Sequence, residues 1–410
     1  MRSRRFRPIV LIIALLIDLY VFQAIKTVTQ GLNPSPQYIL FGAYWGLSIL
    51  ALVSFLLLPY LHLKFGRASS YIIAIILGFY IAKLLAVVFL LADDLRRLFL
   101  LVVSVIHPKP AGTGESVIPR STFLSWLGLG IGSSIFGALV YGFSNKYNYK
   151  IHRLKLAFQN LPAQFKGLKI IQLSDIHSGS LANPEAVGKG IDLVLAEKPD
   201  LILFTGDLVN NLAAEMTDYQ SVFSRLQAPM GVFSTLGNHD YGDYAGWESA
   251  DAKRANLDLL KQMQKEMGWR LLMNEHVALE KGGAQIALIG IENWSAKARF
   301  PKYGRMDLAY PGAEKYPFKI LMSHDPSHWD AEVRTSYPDI DLMLSGHTHG
   351  MQFGFEIPGL KWSPVQFLYR QWAGLYKEGK QHLYINRGFG FIGYPGRFGI
   401  LPEITVFELT

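Results

Sequence analysis

The 410-residue sequence contains no cysteine. That absence excludes a disulfide framework, a thiolate metal site and a cysteine nucleophile, so any bound metal must rest on His, Asp, Asn or Glu. Charge is scarce as well: Asp, Glu, Lys and Arg together make up 18% of the residues. There is no lysine-rich tail, no low-complexity tract, no repeat at a fixed period and no RNA-binding pattern of basic and aromatic residues. The formal net charge of +8 is therefore not a nucleic-acid signal. Part of the excess flanks apolar segments, where positive charge orients helices in a bilayer. No nucleic-acid partner is expected.

Apolar residues are plentiful, 50% of the whole, and unevenly placed. Ile9 to Ile25, Tyr38 to Leu61, Tyr71 to Ala92 and Phe123 to Phe143 are apolar runs of about the length that crosses a hydrocarbon core of about 30 Å. Their glycines and terminal aromatics suit lipid better than a soluble core. A cleaved signal peptide is not expected, because the first run carries Asp18 and further runs follow. Residues 1–145 are expected to form an all-α transmembrane region of about four spans in the cell membrane, and residues 146–410 a separate domain.

Arg2, Arg4, Arg5 and Arg7 precede the first run and Lys64 and Arg67 follow the second, which sets the N-terminus in the cytoplasm by the positive-inside rule. Four crossings return the chain to that side at Lys146, Lys150, Arg153 and Lys155. Against this stand Arg96, Arg97, Lys109 and Arg120 in a loop assigned outside, and Leu95 to Ile106, readable as a further membrane-associated segment. Arg120-Ser-Thr-Phe-Leu is also similar to a weakened twin-arginine export signal, so the side that carries the domain stays open. Asp18 and Lys83 lie at comparable depth within runs, where a charge is costly. Either they pair across the bundle, or each reaches separately for a polar cavity or headgroups.

From about Lys150, short apolar runs alternate with polar helical stretches: Lys169 to Leu173, Leu201 to Phe204, Val232 to Leu236, Ile286 to Ile291, Lys319 to Met322, Leu342 to Leu344, His382 to Ile385 and Ile404 to Phe407. This is the rhythm of an α/β domain with a layered sheet core, and Asp251 to Met267 has the length and composition of an exposed helix. Polar residues collect just after these strands, where open α/β sheets bind ligands. They are Ser174-Asp175-Ile176-His177, Gly206-Asp207, Gly237-Asn238-His239-Asp240, His324 and Gly346-His347-Thr348-His349. In Asp175-x-His177 and His347-x-His349, an extended backbone turns both side chains to one side, so each pair can grip one metal-rich locus. The preceding glycines suit a backbone that turns sharply beside a site. Carboxylate, carboxamide and imidazole donors without sulfur suit Mn, Fe, Zn or similar divalent ions. Any one of these segments alone passes as a loop or turn, but their succession after strands does not.

The order Asp-x-His, Gly-Asp, Gly-Asn-His-Asp, His, Gly-His-x-His resembles that of the calcineurin-like metallophosphoesterases, from about Lys150 to the C-terminus. The resemblance implies an αββα sandwich with a dinuclear site between two sheets. Asp175, His177 and His349 would hold one metal, Asn238, His324 and His347 the other, and Asp207 would bridge them. It also implies that His239 protonates the leaving oxygen, with Asp240 orienting the imidazole. Ser174 to Gly179, Gly346 to Gly350, Asn386 to Gly390 and Pro402-Glu403 are most similar to membrane-associated or exported bacterial phosphoesterases, a subgroup that includes a UDP-2,3-diacylglucosamine hydrolase. Met351 departs from that pattern, where a second glycine is common, and so does Asn210, where an acidic residue is frequent.

Two divalent ions roughly 3.5 to 4 Å apart can share a bridging water and lower its pKa, giving a hydroxide aimed at phosphorus, while they clamp the phosphoryl oxygens. The expected activity is hydrolysis of a phosphodiester, pyrophosphate or phosphomonoester, a lipid-linked substrate being one candidate and the lipid bilayer the other partner. Arg387 and Arg397 are candidates for holding a second phosphate or an anionic headgroup through bidentate contacts. For Arg397 the alternative is a structural ion pair with Glu403. His328, His276, His382 and His152 are assigned no chemistry. The rival reading is a membrane sensor or scaffold with a metal-binding but catalytically minor domain, against which stands the full ligand set together with His239.

Overall fold

A computed structural model describes residues 2–107 and 119–410, with side chains from residue 8 onward apart from those of 62 and 63. Lys109 and the side chains of Arg2, Arg4, Arg5 and Arg7 lie outside the described residues. The chain divides into two compact units, Met1–Tyr141 and Gly142–Thr410.

The first unit holds helices α1 (Arg2–Thr29), α2 (Pro34–Phe65) and α3 (Ser69–Ile106), and α4 (Thr122–Gly142) runs to its end. All four are long and apolar enough to cross a membrane. Leu95 to Ile106 is no separate segment but the continuation of α3, whose 38 residues extend about 57 Å at 1.5 Å per residue. Arg96 pairs with Asp93 at 2.9 Å, and Arg97 and Arg120 pair with Asp94 at 3.1 and 2.8 Å. Asp18 and Lys83 are both buried and do form an ion pair. Ser48 Oγ lies 2.7 Å from the Lys83 ammonium, and Tyr80 donates a hydrogen bond of 3.1 Å to Asp18.

Breaking a buried pair on one side strands the other charge, a loss of about 3 to 5 kcal/mol. Lys83→Met is therefore expected to lower the thermal midpoint of the full chain in detergent, and Asp18→Asn/Lys83→Met to recover most of that loss. A double variant no more stable than the worse single variant would refute the coupling.

The second unit contains two six-stranded sheets and a hairpin. The first sheet is built from β1 (Lys150–Leu156), β2 (Lys169–Leu173), β3 (Leu201–Phe204), β4 (Val232–Ser234), β5 (Trp269–Leu271) and β14 (Glu403–Leu409). Its order is β1-β14-β2-β3-β4-β5. The second comprises β6 (Glu275–Lys281), β7 (Ala284–Gly290), β8 (Lys319–Met322), β9 (Leu342–Ser345), β12 (Gly374–Glu378) and β13 (Gln381–Ile385), in the order β12-β13-β9-β8-β7-β6. The strands β10 (Phe355–Ile357) and β11 (Leu360–Trp362) pair only with each other.

The apolar runs are continuous because the central strands are covered on both faces. Alternation sends Ile170, Leu201, Leu203, Ile286, Leu288, Ile320, Met322, Leu342 and Leu344 into one core shared by the two sheets. Ile171, Leu173, Ile202 and Phe204 point the other way, against residues of helix Pro184–Ala196 and helix Ala250–Glu266. Ala287, Ile289, Leu321 and Met343 pack outward from the second sheet with Met306, Trp329 and Val333. The result is an α/β sandwich of the αββα kind. Helix Ala250–Glu266 fulfils the helix expected at Asp251 to Met267, and Ser249 caps it by accepting the Ala252 amide at 3.1 Å.

Candidate metal centre

Loops leaving the C-terminal ends of β2, β3, β4, β8 and β9 converge at one end of the sandwich. Asp175, His177 and His349 form one group of donors, and Asp207, His324 and His347 another; within each, the ligand-capable atoms lie within 4.8 Å of one another. The groups meet at Asp207, whose Oδ2 is 3.0 Å from His324 Nε2 and 3.6 Å from His177 Nε2. In the first group, His349 Nε2 lies 3.0 Å from His177 Nε2 and 3.1 Å from Asp175 Oδ1. Two imidazole nitrogens and a carboxylate oxygen aimed at one point make a donor set that a cation satisfies. Asn238 donates through Nδ2 to Tyr244 at 2.9 Å, while its buried Oδ1 has no hydrogen-bond partner. A buried amide oxygen without a partner beside these donors fits the donor set of a metal centre.

The backbone that presents these donors is not extended, contrary to the sequence reading. Asp175, His177, Asp207, His347 and His349 all have positive φ, between 49° and 71°. Such conformations strain residues with a Cβ and persist only where the surroundings fix them, commonly at functional sites. The strands end before these donors, so spacing on a pleat no longer governs their direction, and His347 and His349 enter the two adjoining donor groups. Gly346 is required by close approach, since a Cβ there would meet Ser174 Oγ at 1.9 Å and Asp175 Oδ2 at 2.1 Å. Met351 takes a φ of 50° at the position where glycine was noted as common.

Burial pushes the imidazoles of His177, His347 and His349 below their ordinary value, toward the neutral form that a ligand needs. His324 differs: burial opposes its charge, but Asp207 outweighs this and lifts it to about 10. The carboxylate field that draws a proton onto this nitrogen would draw a metal cation equally. His324 donates through Nδ1 to the Thr205 carbonyl at 2.7 Å, which fixes its ring with Nε2 toward Asp207.

His239 lies beside the two groups and lines a cleft of about 290 Å³ above them. Its Nδ1 is 2.7 Å from the Asn210 carbonyl, which requires a proton on that nitrogen and leaves Nε2 for the cleft. Asp240, expected to orient this imidazole, does not do so. Its buried carboxylate accepts the amides of Asp207, Leu208, Val209 and Gly237 at 2.7 to 3.2 Å. Two ligand-bearing loops have left their strand ladders there, and their amides need an acceptor. Burial and the neighbouring Asp207 raise the Asp240 carboxyl to about 7 in spite of these bonds.

Residues 3–146 match a family model described as a probable calcineurin-like phosphoesterase transmembrane domain, and residues 168–351 match the calcineurin-like phosphoesterase model. Among relatives, the uncharacterized metallophosphoesterase YkuE of Bacillus subtilis is 32% identical over 258 residues, spanning 61% of this chain and 81% of that protein. Phosphodiesterase YaeI of Escherichia coli is 30% identical over 68% of this chain and 93% of its own length. The chain belongs to the calcineurin-like phosphoesterases. A transmembrane protein with metallophosphoesterase domain from Danio rerio is 29% identical over 65% of this chain and 59% of that one. Metallophosphoesterases bind divalent metals, and the two Asp and His groups are where this phosphoesterase can hold them. The apolar helices and the matched transmembrane domain make it a membrane protein.

Arg387 and Arg397 are not turned toward the cleft of the phosphoesterase. Arg387 is buried and pairs with Glu403 at 2.5 Å and with Glu356 at 2.6 Å. The partner of Glu403 is thus Arg387, not Arg397. Arg397 is fully buried: it donates to the Arg387 carbonyl at 2.7 Å and to those of Gly388 and Gly390, and its Nη2 lies 3.1 Å from His349 Nδ1. Burial lowers its guanidinium to about 9. Five donors in a rigid fork suit this clamp on the 387–390 loop, whose Phe389 and Gly390 amides bond the Ser174 and Asp175 carbonyls at 2.7 and 2.9 Å.

Burial raises the Glu403 carboxyl, but the charge of Arg387, aided by hydrogen bonds from Thr405 and Tyr384, holds it down at about 2, against an ordinary 4.5. A depressed folded-state value stabilises above the unfolded value and is lost as pH falls through the folded one. Glu403→Gln is therefore expected to destabilise by about 3 kcal/mol at neutral pH. The gap to the parent should close as pH drops from 4.5 toward about 2. Denaturant unfolding followed by tryptophan fluorescence checks this, and a pH-independent gap refutes it.

Several residues that build the site carried no readable motif. His347 Nε2 lies 2.9 Å from Tyr369 OH and 3.5 Å from Asp325 Oδ2, which leaves Nδ1 as the nitrogen that could face a metal. Asp325 directly follows His324, the one available signal; Tyr369 is brought back by the 352–373 excursion, which no spacing announces. Arg299, exposed at the cleft with Phe300, was likewise unmarked.

Proposed function

We propose that this membrane protein is a dinuclear metal-dependent phosphoesterase, its membrane region at residues 1–145 and its catalytic domain at 146–410. Asp175, His177 and His349 hold one divalent ion, Asn238, His324 and His347 the other, and Asp207 bridges them. The observation that carries this reading is Asp207 Oδ2, within 3.0 Å of one group and 3.6 Å of the other. Bound there, Mn, Fe or Zn supplies Lewis acidity toward the phosphoryl oxygens and lowers the pKa of an attacking water. The chain's own part is to fix donors in strained loops, to exclude bulk water from their undersides, and to present His239 Nε2 to the leaving oxygen. Arg397 and Asp240 act as supports of the ligand loops rather than as contacts to substrate.

The substrate class we favour is a lipid-linked phosphodiester or pyrophosphate, with several spans in the cell membrane and kinship to UDP-2,3-diacylglucosamine hydrolase as parts of the same proposal. Four apolar helices support it by keeping the domain at a bilayer. Full-length protein supplied with Mn²⁺ and a chromogenic phosphodiester should turn over, and a chelator or Asp207→Ala should abolish this. Metal-loaded wild type that hydrolyses no faster than the variant would overturn the catalytic reading in favour of a metal-binding sensor or scaffold.

A further inference from the structure

One face of the β10–β11 hairpin is built inside out for a domain in water. The register pairs Phe355 with Trp362 and Ile357 with Leu360, which puts these four side chains on one face and Glu356 and Lys361 on the other. The polar face is tied down to the domain: half-buried Glu356 accepts both arms of the Arg387 fork at 2.9 and 2.6 Å, and Lys361, itself exposed, donates to the Ala373 carbonyl and Tyr376 OH at 2.5 and 2.9 Å. The apolar face is left outside, with Ile357 58% and Leu360 54% exposed. Phe367, a few residues on, is 78% exposed, and its exposed neighbour Leu368 lines the metal-centre cleft with Met351. An apolar patch of this kind, beside a site and held by a buried ion pair, marks an interaction surface.

We propose that this face beds into the headgroup layer of a lipid bilayer and sets the metal-centre cleft over lipid headgroups, whose phosphate ester is the substrate. The substrate part rests on the phosphoesterase reading above; the bedding part does not. A bilayer is at hand, because the same chain carries four helices apolar enough to cross one. Charge agrees: Arg299 lines the cleft with Leu368, and Arg370, two residues on in the chain, is 76% exposed in its side chain and held by a 3.9 Å pairing with Asp330 that an anionic headgroup can replace. Aromatic, aliphatic and arginine side chains together are what the interfacial layer selects, with apolar groups entering about 5 to 10 Å. A second copy of the chain is disfavoured, since these few side chains fall short of the roughly 800 Å² per partner of a stable interface.

The cysteine-free sequence lends itself to single labels on the full chain. An environment-sensitive fluorophore at Ile357→Cys is compared with one at Glu280→Cys, next to the β6–β7 turn at the far end of the sheet from the ligands. The protein is placed in nanodiscs of phosphatidylcholine and phosphatidylglycerol. Lipids with a nitroxide high on the acyl chain should quench the label at 357 about twofold or more and leave that at 280 unchanged. Equal behaviour at both positions overturns the bedding, and so does a label at 357 shielded only as protein concentration rises, which assigns the face to a second copy. In the same discs, Ile357→Asp/Leu360→Asp should lose about tenfold in release of phosphate-ester headgroups from lipid and stay within about twofold on a soluble chromogenic diester. Equal loss on both substrates overturns presentation of lipid. No turnover of the soluble diester by the parent defeats the catalytic reading and leaves the quenching result standing.

Discussion

Asp207→Asn is expected to reduce phosphoester turnover by about 10³, the order of removing a principal electrostatic element from a preorganised site. The substitution keeps the shape of the side chain and an oxygen for the His239 amide, which Asp207 Oδ1 accepts at 2.8 Å. It removes the charge that both donor groups share. Asp207 holds its proton weakly: burial opposes ionisation, but His324 and His239 outweigh it and keep the carboxyl well below its usual range. With a neutral amide there, the field that draws cations to His324 and His177 weakens at both loci together. The variant should lose metal as well as rate. Metal content per chain, read with kcat at saturating Mn²⁺, separates the two effects. Full occupancy and parental kcat would mean that Asp207 is not shared, and the dinuclear arrangement would fail with it.

Why that carboxylate was legible, while much around it was not, follows from what each residue answers to. Ile170, Leu203 and Ile320 sit in strands covered on both faces, so their runs are apolar without interruption and read directly as buried sheet. The four long apolar helices were readable because a bilayer demands length and apolarity from consecutive residues, and nothing else among the described residues meets both demands. The candidate donors were readable by kind and order, since nitrogen and oxygen donors at strand ends have few other reasons to gather. Their directions were not. Left-handed backbone at Asp175, His347 and His349 is set by packing around the loops, so the extended conformation assumed from the spacing does not hold there. Asp240 was misread for a related reason: beside a histidine its carboxylate looks like an orienter, but the unsatisfied amides of Asp207, Leu208 and Gly237 hold it more firmly. The inverted hairpin is visible in Phe-Glu-Ile and Leu-Lys-Trp only once Arg387 is known to await Glu356. Contacts between residues far apart in the chain leave no local pattern to read.

His239→Ala should retain both metals and yet slow hydrolysis by about 10² to 10⁴, the range for a positioned acid, when the leaving group is an alkoxide. The argument rests on the tautomer. Because Nδ1 donates to the Asn210 carbonyl at 2.7 Å, the ring is held with Nε2 at the cleft, where a proton on Nε2 can reach the leaving oxygen. The ring is held by a backbone oxygen on the Asp207 loop, so metal binding at that loop and proton delivery are mechanically tied. An alkoxide must be protonated as it departs, whereas p-nitrophenolate departs without help. The loss on a p-nitrophenyl ester should therefore be small beside the loss on an alkyl diester, and the dependence of rate on leaving-group pKa should steepen in the variant. An equal loss on both esters with metal retained assigns His239 to holding the phosphoryl group, because that service is the same whatever leaves. Unchanged turnover of the alkyl diester removes His239 from the catalytic set altogether.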